Sequence, residues 1–80
     1  MIQATFELYI DILNVLAVKG ALGVRDLASA LGKTQETVLT GLFFLSKQGF
    51  VSKYANGTFK IEQKGFLVLN YFGLTQKASC

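Results

Sequence analysis

The first apolar segment, from about Ala4 to Lys19, predicts an amphipathic helix because its apolar residues recur every three or four positions. Glu7 in its first turn and Lys19 near its end suit the helix dipole, and Gly20 then fits a C-terminal stop. The apolar surface is wider than one core needs. Two interpretations follow: a well-buried helix, or a helix shared between the core and a dimer partner. Its two stripes are Phe6, Ile10, Leu13 and Ala17, and beside them Leu8, Ile12, Val15 and Leu16.

Two shorter helices are predicted next. The span 24–31 repeats apolar residues at i, i+3, i+4 and i+7, and Gly32 ends it. The preceding residues 20–23 form a turn or a very short extended piece. Thr34 offers an N-cap hydroxyl for a third helix, which runs to about Gln48 and is terminated by Gly49.

Asn56-Gly57 lies between two strand-like runs, residues 50–55 and 58–62. Asn-Gly between such runs predicts a β-hairpin with a two-residue loop, since both central residues tolerate positive φ. A two-residue loop also fixes the register of the strands. The predicted opposing pairs are Tyr54 with Phe59 and Ser52 with Ile61 on one side, and Lys53 with Lys60 on the other.

A last helix, from Gln63 to about Leu74, is apolar nearly all round, and residues 76–80 form a loose tail. One side of it serves the core and the other suits a partner, so we expect a homodimer. The predicted interface comprises Leu8, Ile12, Val15, Leu67, Tyr71 and Leu74. The predicted core comprises Phe6, Ile10, Leu13, Leu16, Val24, Leu27, Leu31, Val38, Leu42, Leu45, Phe59, Ile61 and Leu69.

Composition excludes several classes of protein. The 80 residues are 51% hydrophobic and 16% charged, which is unlike a disordered chain. With no His and a single Cys, Cys80, the chain lacks the residues for a zinc cluster, a Cys–His nucleophile or an internal disulfide. The five acidic residues are scattered over separate elements. We therefore expect a single-domain, cytoplasmic protein that is not an enzyme, with no metal, cofactor or membrane partner.

The order helix, helix, turn, helix, hairpin, helix matches a helix-turn-helix followed by a wing. The run 24–38, with Leu42, Leu45 and residues 47–51, resembles the winged helix-turn-helix family of MarR-like and related archaeal and bacterial regulators. Residues 59–65 are similar to the motif at that family's second wing strand. The resemblance implies an α+β winged helix and a small homodimeric transcriptional regulator that binds double-stranded DNA.

In that family the third helix enters the major groove and the wing lies along the backbone or the minor groove. The net charge of +3 is compatible with such a partner. If Lys53 and Lys60 stand opposite each other, a bound phosphate relieves their repulsion. The expected DNA-binding residues are Thr34, Gln35, Glu36, Thr37 and Thr40 on the third helix, Arg25, Lys33 and Lys47 around it, and Lys53, Asn56 and Lys60 on the wing.

The third helix also departs from the pattern of DNA-reading helices. It contains no arginine, so it cannot make the bidentate contact to guanine. Its apolar residues Leu39, Phe43 and Phe44 leave an alternative open, in which the winged helix is an adaptor that docks another protein through them.

Overall fold

A computed structural model describes residues 6–71 as four helices and one two-stranded antiparallel hairpin. The predicted start of the first helix at Ala4, the end of the last at Leu74 and the tail 76–80 lie outside the described residues. Within them, the expected order of elements is confirmed. The elements are α1 (Phe6–Lys19), α2 (Val24–Leu31), α3 (Gln35–Lys47), β1 (Val51–Lys53), β2 (Phe59–Ile61) and α4 (Gln63–Tyr71).

Local chemistry sets the helix boundaries where the sequence predicts them. Gly32 ends α2 in the left-handed conformation, with φ of 67°, and its N–H points at the last carbonyls of that helix. Two residues later, Thr34 Oγ1 accepts a hydrogen bond from Thr37 N at 3.1 Å and caps α3. The turn between α2 and α3 is therefore fixed from both sides.

The core is formed where α1, α2, α3, the hairpin and α4 meet. Phe6, which we predicted in the core, is 57% exposed at the start of α1, so that prediction is wrong. Val24, Leu31 and Ile61 are half-buried against the core. The buried apolar residues are Leu8, Ile10, Ile12, Leu13, Leu16, Leu27, Ala28, Val38, Leu42, Leu45, Val51, Phe59 and Leu69.

Gly41 explains how Leu8 and Ile12 of α1 come to be buried in the chain's own core. A Cβ built on Gly41 would lie 2.8 Å from Ile12 Cδ1 and 3.3 Å from Leu8 Cδ2. The missing side chain lets α1 and α3 approach closely at this point. Leu8 and Ile12 consequently belong to the chain's own core, and their predicted place in a dimer interface is wrong. Val15 is half-buried against the same core.

The hairpin has a different loop from the predicted one. Tyr54 N donates to Thr58 O at 2.8 Å and Gly57 N donates to Tyr54 O at 3.0 Å, which encloses a three-residue loop, 55–57. Within residues 6–71 positive φ occurs only at glycines, and Gly57 has φ of 93°. Asn56 keeps negative φ, with its Oδ1 accepting from Thr58 N and Oγ1. The loop is thus a turn closed by a left-handed glycine, not the predicted turn with two positive φ angles.

The longer loop shifts the register by one residue. The observed pairs are Val51 with Ile61, Ser52 with Lys60, and Lys53 with Phe59. The predicted pairing of Lys53 with Lys60 is therefore wrong, as are the other two predicted pairs.

Burial gives the physical reason for the shift, because paired residues share a face of the sheet. Only the observed register puts Val51, Phe59 and Ile61 on one face, which packs on the core. On the other edge of β2, the backbone of Phe59 bonds to Leu22 at 2.8 and 3.0 Å. Leu22 belongs to residues 20–23, for which a turn or a very short extended piece was predicted, and this bridge favours the extended piece.

Candidate nucleic-acid interface

The outward face of α3 combines one acid, one base and two non-ionic side chains. Val38, Leu42 and Leu45 point into the core, so the residues on the opposite side face away from the domain. These are Glu36, Thr40, Phe43 and Lys47, spaced at i, i+4, i+7 and i+11, and all four are exposed. Among the predicted base-reading residues, the structure places Glu36 and Thr40 at the centre of this face and Gln35 on its flank.

Three predicted threonines already have hydrogen-bond partners within α3. Thr34 Oγ1 donates to Thr37 Oγ1 at 2.9 Å while capping the helix. Thr40 Oγ1 donates to Glu36 O at 3.0 Å. Thr37 is also half-buried, so it does not belong to the outward face. The sequence pattern assigned these three hydroxyl groups to base contacts, and in the structure they make hydrogen bonds within the protein. Of these structural roles, only the cap at Thr34 was predicted.

The aromatic residues of α3 divide between two surfaces. Phe44 stacks on Tyr9 of α1, with ring centroids 4.4 Å apart and an angle of 18° between the planes. Phe43 instead projects outward, 67% exposed, with Lys47 Nζ 5.6 Å from its ring centroid. Leu39 lies beside Phe43 and is 52% exposed. Of the three residues predicted to form one docking patch, only Leu39 and Phe43 lie together, because Phe44 packs against α1.

Lys60 lies on the outer face of the hairpin in a small polar cluster. Its Nζ is 3.9 Å from Glu62 Oε2 and 5.7 Å from the ring centroid of Tyr54. Ser52 Oγ donates a hydrogen bond to the same carboxylate. Glu62 was not among the predicted site residues, although the spacing i, i+2 on a strand puts two side chains on one face. It offsets part of the charge of Lys60.

Lys53 lies on the other face of the hairpin, with its Nζ 5.9 Å from the ring centroid of Phe59. The Oδ1 atom of Asn56, at the loop, accepts hydrogen bonds from Thr58 N and Thr58 Oγ1. The hairpin consequently presents one lysine on each face, in contrast to the predicted facing pair.

Charge is unevenly distributed between the two halves of the described chain. Residues 6–43 carry three basic and four acidic side chains, whereas residues 44–71 carry four lysines and one glutamate. Lys33, predicted as a DNA contact, lines a shallow depression with Glu7 and Asp11 of α1. Arg25 is exposed on α2. The positive charge is thus concentrated on the end of α3, the hairpin and the start of α4.

A second concavity lies between α1, α3 and α4. Its volume is about 340 Å³, and all its lining residues are apolar or aromatic. Ligand sites usually add a few polar groups that orient the ligand. The lining residues are Phe6, Tyr9, Ile10, Leu13, Phe44, Leu45, Phe50 and Val68.

Between Phe6 and Tyr71, no group of three His, Cys, Asp or Glu side chains is placed to hold a metal ion. Nor does this part of the chain contain a helix with the length and apolar character needed to cross a bilayer.

This arrangement, with a helix-turn-helix whose outward helix is followed at once by a hairpin, is the winged-helix fold. Two solved structures share it. The Zalpha domain of ORF112 from Cyprinid herpesvirus 3, a domain that binds Z-DNA, superposes with a TM-score of 0.71 and 23% sequence identity, covering 75% of this chain and all of that one. IdeR of T. acidophilum superposes with a TM-score of 0.69 and 20% identity over 90% of this chain, which spans 34% of the IdeR chain.

At these identities the likeness establishes the fold alone. No protein-family model and no curated protein sequence matches the chain.

Proposed function

We propose that this chain binds double-stranded DNA through the outward face of α3 and the hairpin, as a small homodimeric transcriptional regulator. The observation that carries the proposal is the concentration of four lysines against one glutamate in residues 44–71. Lysines that neutralise phosphates release condensed counterions, which supplies most sequence-independent affinity for a duplex. In a winged helix this basic half coincides with the elements that follow the DNA backbone. The Z-DNA-binding Zalpha domain, which shares the fold, supports the same assignment.

The test is a titration of a random-sequence duplex at several salt concentrations, monitored by fluorescence anisotropy. The logarithm of the binding constant should fall linearly with the logarithm of salt, by about 0.9 per phosphate contact. Lys53→Ala and Lys60→Ala should each flatten that slope by about one contact and weaken binding to all sequences alike. Lys19→Ala is the matched control. It removes the same charge from an exposed position at the end of α1, outside the proposed interface, and should leave the slope nearly unchanged.

Glu62→Gln provides an independent check on Lys60. Removing the carboxylate 3.9 Å from Lys60 Nζ leaves the lysine available for a phosphate, so affinity should increase. A left-handed alternating dC–dG duplex belongs in the same series because the Zalpha domain binds Z-DNA. Preference for the left-handed form would contradict the placement of α3 in a B-form major groove.

The proposed homodimer uses the exposed apolar face of α4. Leu67 and Tyr71 lie four residues apart on the outward face of α4, and Leu67 is 58% exposed. A two-fold dimer through this face would present two copies of α3 to two half-sites. Light scattering should then give about twice the chain mass of 8.7 kDa. Leu74, also predicted at this interface, lies outside the described residues.

The second candidate is a protein-docking adaptor, and the exposure of Leu39 and Phe43 on α3 favours it. An adaptor would show little affinity for the random duplex and no steep dependence on salt. Gln35→Ala would then be neutral, whereas for a DNA-reading helix it would relax specificity at one base position, since glutamine pairs with adenine. Absence of salt-dependent binding would refute the DNA proposal and leave the adaptor.

A further inference from the structure

The exposed surface of α3 includes two large apolar side chains beside its charged ones. Phe43 is 67% and Leu39 is 52% exposed, and they lie four residues apart on one side of the helix. Thr40, three residues before Phe43, is exposed on the other side of Phe43 from Leu39. Its only hydroxyl hydrogen is donated to Glu36 O at 3.0 Å, so the hydroxyl group has no hydrogen left to donate to a base.

We infer that α3 reads thymine, through contact of Leu39, Thr40 and Phe43 with thymine C5-methyl groups in the major groove. The inference rests on the proposed function and deepens it. In the major groove the C5-methyl group of thymine is the apolar marker that sets A·T pairs apart from G·C pairs, and apolar side chains recognise it. The helix has no arginine for guanine, and Gln35 on its flank is suited to the paired adenine. The substrate class is therefore A·T-rich B-form DNA.

Two observations favour DNA over a protein partner for this patch. First, Lys47 Nζ lies 5.6 Å from the Phe43 ring centroid, and the hairpin lysines follow within the next thirteen residues, so the patch adjoins the most basic part of the chain. Second, the patch is small, because Phe44 is stacked on Tyr9 and does not extend it. Stable protein interfaces bury about 800 Å² on each partner, far more than two side chains supply.

The same geometry disfavours RNA. An A-form duplex has a deep, narrow major groove that side chains cannot read, and uracil lacks the C5-methyl group. Discrimination should therefore follow the methyl group itself, which gives a chemical test that needs no knowledge of the operator.

The experiment compares two pools of random A·T duplexes, one containing thymidine and the other deoxyuridine in its place. The donors and acceptors of the base pairs are the same in both pools, and only the C5-methyl group is missing from the deoxyuridine pool. The wild-type chain should bind the thymine pool more tightly, by roughly fourfold for each methyl group contacted, which corresponds to about 0.8 kcal/mol per buried methyl-sized group. Conversely, a G·C duplex with 5-methylcytosine should bind more tightly than the unmethylated one, because the methyl group is restored at the same groove edge.

Phe43→Ala should reduce the thymine-to-deoxyuridine ratio most while the salt slope stays unchanged, Leu39→Ala should reduce it less, and the double variant should bring it close to one. Val18→Ala is the control, since Val18 is 75% exposed on the acidic side of α1 with Glu7 and Asp11. It should leave the ratio as in the wild type. Because the ratio compares two ligands on one variant, partial unfolding of that variant cancels from it.

Each outcome separates the two proposals. Salt-dependent binding with equal affinity for the two pools would overturn thymine reading and leave DNA binding intact. A thymine preference that Phe43→Ala leaves unchanged would also overturn it, since the preference would then come from duplex shape. Lack of salt-dependent binding to every duplex would refute the proposed function, and the thymine inference with it.

Discussion

Two helical glycines face different obstacles, and this difference predicts opposite tolerance to alanine. A Cβ on Gly65 would lie 2.7 Å from both the carbonyl oxygen of Phe50 and Cγ1 of Ile61. A Cβ on Gly41 would lie 2.8 Å from Cδ1 of Ile12, the mobile end of a side chain. Real Cβ atoms do not approach neighbours this closely, so either substitution forces a shift. At Gly65 the group that must move is backbone.

The cost at Gly65 follows from what the Phe50 carbonyl does. It accepts a hydrogen bond from Glu62 N at 2.8 Å, and this bond joins the residue before β1 to the residue after β2. Overpacking costs about 1–3 kcal/mol, and weakening that hydrogen bond adds about 0.5–1.5 kcal/mol. The higher helix propensity of alanine stabilises the folded state by about 0.5–1 kcal/mol and offsets part of this cost. Gly65→Ala should therefore lower the free energy of unfolding by about 2–3 kcal/mol.

At Gly41 the same helix preference offsets a smaller cost, because a change in the χ2 angle of Ile12 moves its Cδ1 without moving any backbone. We expect Gly41→Ala to change the free energy of unfolding by less than about 1 kcal/mol. Urea denaturation followed by far-UV circular dichroism measures both variants. For a domain of this size the loss at Gly65 corresponds to a fall in Tm of about 10–20 °C. If Gly65→Ala is as stable as the wild type, or Gly41→Ala is the more damaging change, the steric argument is wrong.

Three further predictions concern the cap, the loop and the dimer. Thr34→Ala removes the acceptor for Thr37 N and should cost about 1 kcal/mol in urea denaturation, whereas Thr34→Ser should retain most of the stability. Asn56→Ala removes the acceptor of two hydrogen bonds and should cost about 1 kcal/mol, while Asn56→Asp, which keeps that acceptor, should cost less. Leu67→Glu should convert the dimer to a monomer in light scattering, and Val18→Glu should not. A monomeric wild-type chain would remove the dimer from the proposal.

Local sequence determined the helices and their order. The cap at Thr34, the left-handed Gly32 and the apolar repeat of α2 act within a few residues of chain, so they could be predicted without the rest of the molecule. The fold class followed from the order of the elements. Most of the exposed residues of α3, such as Glu36 and Thr40, could also be placed, because helical periodicity fixes which side opposes the core.

Tertiary structure decided the register of the hairpin and the role of α1. The Asn56-Gly57 pair favours a two-residue loop locally, but that register would separate Val51 from the face of Phe59 and Ile61, and burial of all three outweighs the turn preference. The sequence showed two apolar stripes on α1 and left open how much of them the chain's own core covers. The structure buries residues of both stripes, and Gly41 on a distant helix provides the space that Leu8 and Ile12 fill. Local preferences are small, and packing contacts between segments distant in sequence are large enough to override them.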